Sequence, residues 1–306
     1  MNADVRLAAY APADGGVNDH CIVRAADGWH YFFIYRRYDL WDGVGTTAGS
    51  TIGHAYSPDL FAWRTCADAL QPDADAGAWD GTHVWAPHVL RRGGYWYMAY
   101  AGVDRHGIQR LGIVRSADLH DWERFLDGPV LDAALLPWFD RNAPHAHFYD
   151  CRDPFLLEHD DGYLLYYTAR ADDDVPCIAA ASSDDLLHWQ DRGPVLRMVH
   201  YQPDGQQRTP LESCCVFRRG SLWYLVYQLR GIRYHVSGDP LDWHGTPPRT
   251  FSTTKWLFRW ADPERHLHIY KTRSFFGVLR FGLVRWEGDR MLPDHGTAAG
   301  YQMPWP

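Results

Sequence analysis

The feature that most constrains this chain is a seven-residue pattern found four times: SPDLFAW at 57–63, SADLHDW at 116–122, SDDLLHW at 183–189 and SGDPLDW at 237–243. Its closing tryptophans are spaced 59, 67 and 54 residues apart, so the chain is an array of similar units. That spacing is too long for one strand pair and suits a four-stranded propeller blade with generous loops. Upstream of each copy, a short apolar run meets a DG, GG or GS turn and then an aromatic run. The four are HCIVRAADGWHYFFIYR (20–36), PHVLRRGGYWYMAYAG (87–102), PFLLEHDDGYLLYYTAR (154–170) and SCCVFRRGSLWYLVYQLR (213–230), each with the signature of a β-hairpin. A third strand follows in STIGHAYS, RLGIVRS, CIAAASS and RYHVS, and a degenerate fifth unit is readable over 255–291. The expected fold is therefore all-β: one domain over residues 1–306, a five-bladed β-propeller in which each blade is a four-stranded antiparallel sheet.

Composition narrows the partners. With 46% apolar and 15% aromatic residues there is material for a large core. A net charge of −8 with scattered basic residues argues against nucleic acid. No run of about 18 apolar residues occurs, and the N-terminus lacks a basic segment followed by an apolar one, so a cytoplasmic protein without membrane association is expected. The cysteines at 21, 66, 151, 177, 214 and 215 show neither a CxxC pair nor zinc-like spacing and are expected as reduced thiols.

Residues that recur in every blade serve the blade, so a unique site belongs where the units differ. The first strand of each blade lines the channel, and the entrances of the first four read Val17-Asn18-Asp19-His20, Val84-Trp85-Ala86-Pro87-His88, Cys151-Arg152-Asp153-Pro154 and Pro210-Leu211-Glu212-Ser213. Asp19, Asp153 and Glu212 are expected at one equivalent position, facing each other across the channel mouth. Three converging carboxylates repel unless one is protonated or a cation compensates. Glycoside hydrolysis gives such a cluster a use: one carboxylic acid protonates the leaving oxygen, a second activates water or attacks the anomeric carbon, and a third holds the sugar.

At these residues the chain resembles the five-bladed furanosidase superfamily that contains glycoside hydrolase families 32, 43, 62 and 68. Asn18-Asp19, Gly53-His54-Ala55-Tyr56-Ser57-Pro58-Asp59-Leu60-Phe61-Ala62-Trp63 and Arg152-Asp153-Pro154 look like family-32 motifs, those of the β-fructosidases. Trp85-Ala86-Pro87 looks like a motif of family 43, the arabinofuranosidases, arabinanases and xylosidases. The resemblance implies that Asp19 is the nucleophile of a retaining enzyme or the general base of an inverting one. It implies that Asp153 stabilises the transition state or modulates the pKa of the acid, and that Glu212 is the general acid or acid/base. His20 stands where family 32 has proline, and Ser213-Cys214 replaces its Cys-Pro. The chain also leaves no room for that family's C-terminal β-sandwich, which with Trp85-Ala86-Pro87 favours inversion.

Trp85, His88, Arg152, His54, His147 and Trp41 are the candidates for binding substrate, through sugar faces on aromatic rings and hydroxyls on imidazole or guanidinium. No metal-ligating set stands out by spacing, and no cofactor is expected. By resemblance a structural calcium could sit in the central channel near His235 or His268. The expected partner is a small carbohydrate: an arabinofuranoside, fructofuranoside or xyloside. Two other functions stay open: a propeller redirected to a non-hydrolytic step in metabolite biosynthesis, and a non-catalytic carbohydrate-binding propeller.

Overall fold

The computed structural model describes residues 10–40, 49–60, 62–139, 150–160, 162–197, 210–253, 256–263, 266–271 and 279–294. Strands β1 (Gly15–Arg24), β2 (Trp29–Arg37), β3 (Thr51–Ser57) and β4 (Arg64–Thr65) form the first blade, paired in chain order. The second holds β5 (His83–Arg92), β6 (Tyr95–Val103) and β7 (Gln109–Ser116). The third holds β8 (Cys151–His159), β9 (Gly162–Ala171), β10 (Val175–Ser183) and β11 (Gln190–Arg197). In the fourth are β12 (Glu212–Arg219), β13 (Leu222–Gln228), β14 (Ile232–Ser237) and β15 (Arg249–Ser252), and in the fifth β16 (Trp256–Asp262), β17 (Leu267–Lys271), β18 (Leu279–Glu287) and β19 (Arg290–Asp294). The innermost strands abut in the cyclic order β1, β5, β8, β12, β16 and back to β1, which closes the five-bladed propeller.

Four blades have four strands. In the second, the fourth place is taken by the isolated bridges Leu111–Leu131 and Arg115–Glu123. Gly128 and Pro129 lie between those bridges, and a proline without an N–H interrupts a continuous ladder there.

Burial follows from the ring. Successive side chains of a strand point to opposite faces, and each blade has a neighbour on both. Leu164 and Tyr166 of β9 pack with Trp223 and Leu225 of the fourth blade, while Leu165 and Tyr167 pack with Ala99 and Ala101 of the second. These middle strands therefore read as unbroken apolar runs rather than alternating ones.

The recurring heptapeptide is a turn that closes each third strand. In the second blade the Ser116 hydroxyl accepts the Leu119 N–H (2.9 Å), the Asp118 carboxylate accepts those of His120 (2.8 Å) and Asp121 (3.0 Å), and the Trp122 indole donates to the Leu119 carbonyl (3.2 Å). The third blade repeats this with Ser183, Asp185, Leu186 and Trp189. Leu60, Leu119 and Leu186 all adopt left-handed backbone, at φ 72, 68 and 67°, and all three are buried. A β-carbon there costs about 1–2 kcal/mol, offset by burying the leucine and by the several bonds that the preceding aspartate accepts. Asp118→Ala should therefore lower stability by about 1.5–3 kcal/mol, the range for hydrogen bonds to a charged group, read as a smaller urea midpoint with an unchanged m-value.

Candidate active site

A bulge interrupts the first strand of each of the first four blades at the same place. Asn18-Asp19 face only Ile34, Ala86-Pro87 face Tyr100, Asp153-Pro154 face Tyr167, and Ser213-Cys214 face Tyr227. Ala86, Asp153 and Ser213 carry the extra turn in left-handed backbone at φ 50, 55 and 54°. Bulges bend a strand and re-aim its side chains, and here they do so at the channel mouth. The register corrects one expectation: the three acids do not share one position. Glu212 aligns with Arg152, Trp85 and Val17 just before the bulge, Asp153 aligns with Ser213 and Ala86 within it, and Asp19 aligns with Pro154 and Cys214 at its end.

The acids nevertheless meet in one hydrogen-bonded network. Ser213 donates its backbone N–H to Asp153 Oδ2 (2.9 Å) and its hydroxyl to Asp19 Oδ1 (2.6 Å). The first and fourth blades are not neighbours in the ring, so the Ser213–Asp19 bond crosses the channel mouth. Glu212, next to Ser213, accepts from Arg152 Nη2 (2.7 Å), and Arg152, next to Asp153, is also paired with Asp150. Arg170 joins Asp150 from the next strand and reaches Asp174 at 2.7 Å. Gln109 accepts the Cys151 N–H at 3.2 Å, and Thr168 donates to the Leu211 carbonyl at 2.8 Å. From the fifth blade, buried Arg259 donates to the Ser213 carbonyl at 2.7 Å and fixes the residue that bridges the two aspartates.

Environment separates the charges. Asp153 is 3% exposed, and burial, reinforced by the negative charges of Asp19 and Glu212 and opposed by Arg152, pushes its carboxyl up to about 7. Asp150 is equally enclosed, yet Arg152 and Arg170 overcome the burial and hold it below the usual carboxylate range. Burial opposes the charge on Arg152, but Asp150, Glu212 and Asp153 together raise its pKa well above normal. The mouth thus contains a buried anion clamped between two arginines, one of which also holds Glu212, and one carboxyl poised near neutrality.

The other expected binding residues are spread more widely. Trp85 lies at the register position of Arg152 and Glu212, and its indole stacks on His83, centroids 5.1 Å apart. His88 sits on the seam to the third blade: its ring lies 4.0 Å from that of Phe155, and its Nδ1 accepts the Leu156 N–H at 3.0 Å. Burial, then Arg259, push it down to about 3, so it is neutral. His54, on β3, packs among His30, Phe32 and His120. His147 and Trp41 lie outside the described residues. His235 is on the third strand of its blade, bonded to Tyr227 (3.1 Å) and Thr246 (3.3 Å), and His268 on the second strand of the fifth blade stacks on Phe258.

Sequence reasoning missed Asp150, Gln109, Arg170 and Arg259, and treated Ser213 only as a departure from a motif. Asp150 was within reach: two residues before Arg152, it falls on the same face of an extended strand. Arg259 had no sequence signal, since it arrives from the most degenerate blade.

Ring and carboxylate cluster together define the class: a five-bladed propeller of the glycosidase type. The profile of the glycosyl hydrolases family 32 N-terminal domain matches residues 10–205, and the chain belongs to that family. No curated protein matches it in sequence. Among solved structures, a family-32 β-fructofuranosidase of Bombyx mori superposes with a TM-score of 0.70 at 14% identity, covering 94% of this chain and 64% of that one. A thermostable family-43 glycoside hydrolase gives 0.68 at 16% identity, covering 97% of both chains. A fructofuranosidase from Schwanniomyces occidentalis, complexed with fructose, gives 0.66 at 15% identity, covering 93% of this chain and 60% of that one. The chain thus spans less than two thirds of the length of these two fructofuranosidases.

The raised Asp153 carboxyl links stability to pH. Between its unfolded value of about 4 and its folded value of about 7, the native state holds a proton that the unfolded chain has lost, so this contribution falls as pH rises through that window. Asp153→Asn should remove the dependence: its stability relative to the parent protein should increase from pH 4 to pH 7 in urea titrations.

Proposed function

We propose that the chain is a retaining glycosidase of small furanosides, with fructosides first among them. The observation that carries this reading is the cross-channel network in which Ser213 joins Asp19 to Asp153 and Arg152 holds Glu212. Few other uses explain why three carboxylates would be gathered at one mouth against their repulsion. The protonated form of Glu212, a side chain about one third exposed, gives its proton to the leaving oxygen. Asp19 attacks the anomeric carbon, and water then releases the sugar as Glu212 takes the proton back. Asp153, poised near neutrality, holds sugar hydroxyls and balances the charge that develops on the ring.

Membership of family 32 gives Asn18-Asp19 and Gly53-His54-Ala55 more weight than Trp85-Ala86-Pro87, so retention replaces the inversion expected from sequence. A Bombyx mori family-32 β-fructofuranosidase mutant in complex with sucrose and a Schwanniomyces occidentalis enzyme with fructose support a fructoside as the substrate to try first. Trp85 and Arg152 are the binding residues best supported by position.

The test is a panel of sucrose, short fructo-oligosaccharides and aryl fructo-, arabino- and xylosides, with the product anomer assigned by proton NMR during early turnover. Hydrolysis of fructosides with retained configuration is expected. An inverted product would remove Asp19 as nucleophile, and inactivity across the panel would favour the non-hydrolytic reading. Glu212→Gln should lower kcat by about 10²–10⁴-fold on sucrose and by much less on aryl glycosides whose leaving groups need no proton. An equal loss on both would exclude Glu212 as the acid.

A further inference from the structure

A second cluster of reactive side chains lies on the seam between the first and second blades, away from the carboxylate network. His54 of β3 and Cys66, just beyond β4, come from the first blade, and His120 comes from the Ser116–Trp122 turn of the second. One ligand atom from each lies within 4.8 Å of the other two. The three rings of His30, His54 and His120 stand 5.0–5.2 Å apart.

The hydrogen bonds around this cluster assign its protons. Asp27 accepts from His30 Nε2 at 3.3 Å, so His30 Nδ1 carries a lone pair and accepts from His54 Nε2 at 2.9 Å. His54 Nδ1 is then a lone pair as well. It is buried in a residue 1% exposed and has no hydrogen-bond partner among the described residues. A buried acceptor with nothing to accept is unfavourable, and a bound cation removes that cost. The chain Asp27–His30–His54 also has the form of the outer hydrogen bonds that orient metal-bound imidazoles.

We propose that His54, Cys66 and His120 bind one zinc(II) ion that clasps the first blade to the second. Two imidazoles and a thiolate suit zinc and exclude the oxygen-seeking calcium and magnesium. Bond lengths of 2.0–2.3 Å require ligand atoms about 3.3–3.8 Å apart. His120, exposed on its turn, supplies the remaining closure, while its backbone N–H stays anchored to Asp118 at 2.8 Å. On binding, the Cys66 thiol gives its proton to solvent as the sulfur–zinc bond forms, and water completes the coordination. Cys66 is the one half-buried thiol of the six cysteines; the other five are buried.

The test uses the full chain, freed of metal by a chelator and titrated with cobalt(II), then with zinc(II). One equivalent of cobalt should bind with the visible bands of tetrahedral cobalt and a thiolate charge-transfer band. Zinc should displace it and shield Cys66 from iodoacetamide. Cys66→Ser should remove the charge-transfer band, and His120→Ala, a change at an exposed position, should weaken zinc binding without unfolding the protein. His30→Gln should keep the band and weaken zinc affinity about 10–100-fold, as loss of an outer partner does. Absence of the band, its persistence in Cys66→Ser, or alkylation of Cys66 at an unchanged rate in saturating zinc would each overturn the proposal.

Discussion

Every blade of a closed ring must bury both of its faces, and most of this molecule follows from that constraint. It makes the middle strands apolar along their length, with the aromatic and alanine residues of β9 and β10 serving two neighbours at once. It leaves polar residues few places: the turns, the outer edges and the two mouths of the channel. It also accounts for the leucines in left-handed backbone, which are tolerated because each fills the seam beside its blade. A charged cluster can be held at the mouth because the seams beneath supply the stability to hold it.

The cluster itself is assembled by opposing charges. Asp150 is placed between Arg152 and Arg170, so Arg152 is fixed from behind before it reaches Glu212. Asp153 has no such full compensation, and it is the carboxyl that rises. One arginine is therefore shared between a structural anion and a site acid. Its position within the Arg-Asp pair at the start of the third blade explains why a charged dipeptide opens an otherwise apolar hairpin.

Much of the fold was legible because it is repeated. Four copies of one turn and four hairpins reveal a blade, and the ring follows from their number. What the repeats could not reveal was register at the mouth. The bulge begins just after Glu212 in the fourth blade and just after Arg152 in the third, so Glu212 aligns with Arg152 rather than with Asp153, and no pattern of apolar residues records where a bulge begins. Contacts between blades were equally silent: Ser213 on Asp19 and Arg259 on Ser213 join residues far apart in sequence. His88 shows the converse, a polar residue at an entrance whose ring and Nδ1 hold the adjoining blade. The histidine and cysteine on the seam between the first two blades likewise have no spacing a motif could capture, since the ring alone brings His120 to them.

The hydroxyl of Ser213 resting on Asp19 has a consequence for recognition. It fills one of the places that a hydroxyl of an incoming ligand would take, so a guest that takes this place must first evict a resident that reaches across the mouth. Exchange of one such bond for another is nearly neutral. Attraction must then come from what the resident cannot imitate, such as the flat apolar face of a ring against tryptophan. Discrimination falls to shape, because a guest whose hydroxyl arrives a little out of place gives up the old bond without gaining the new one.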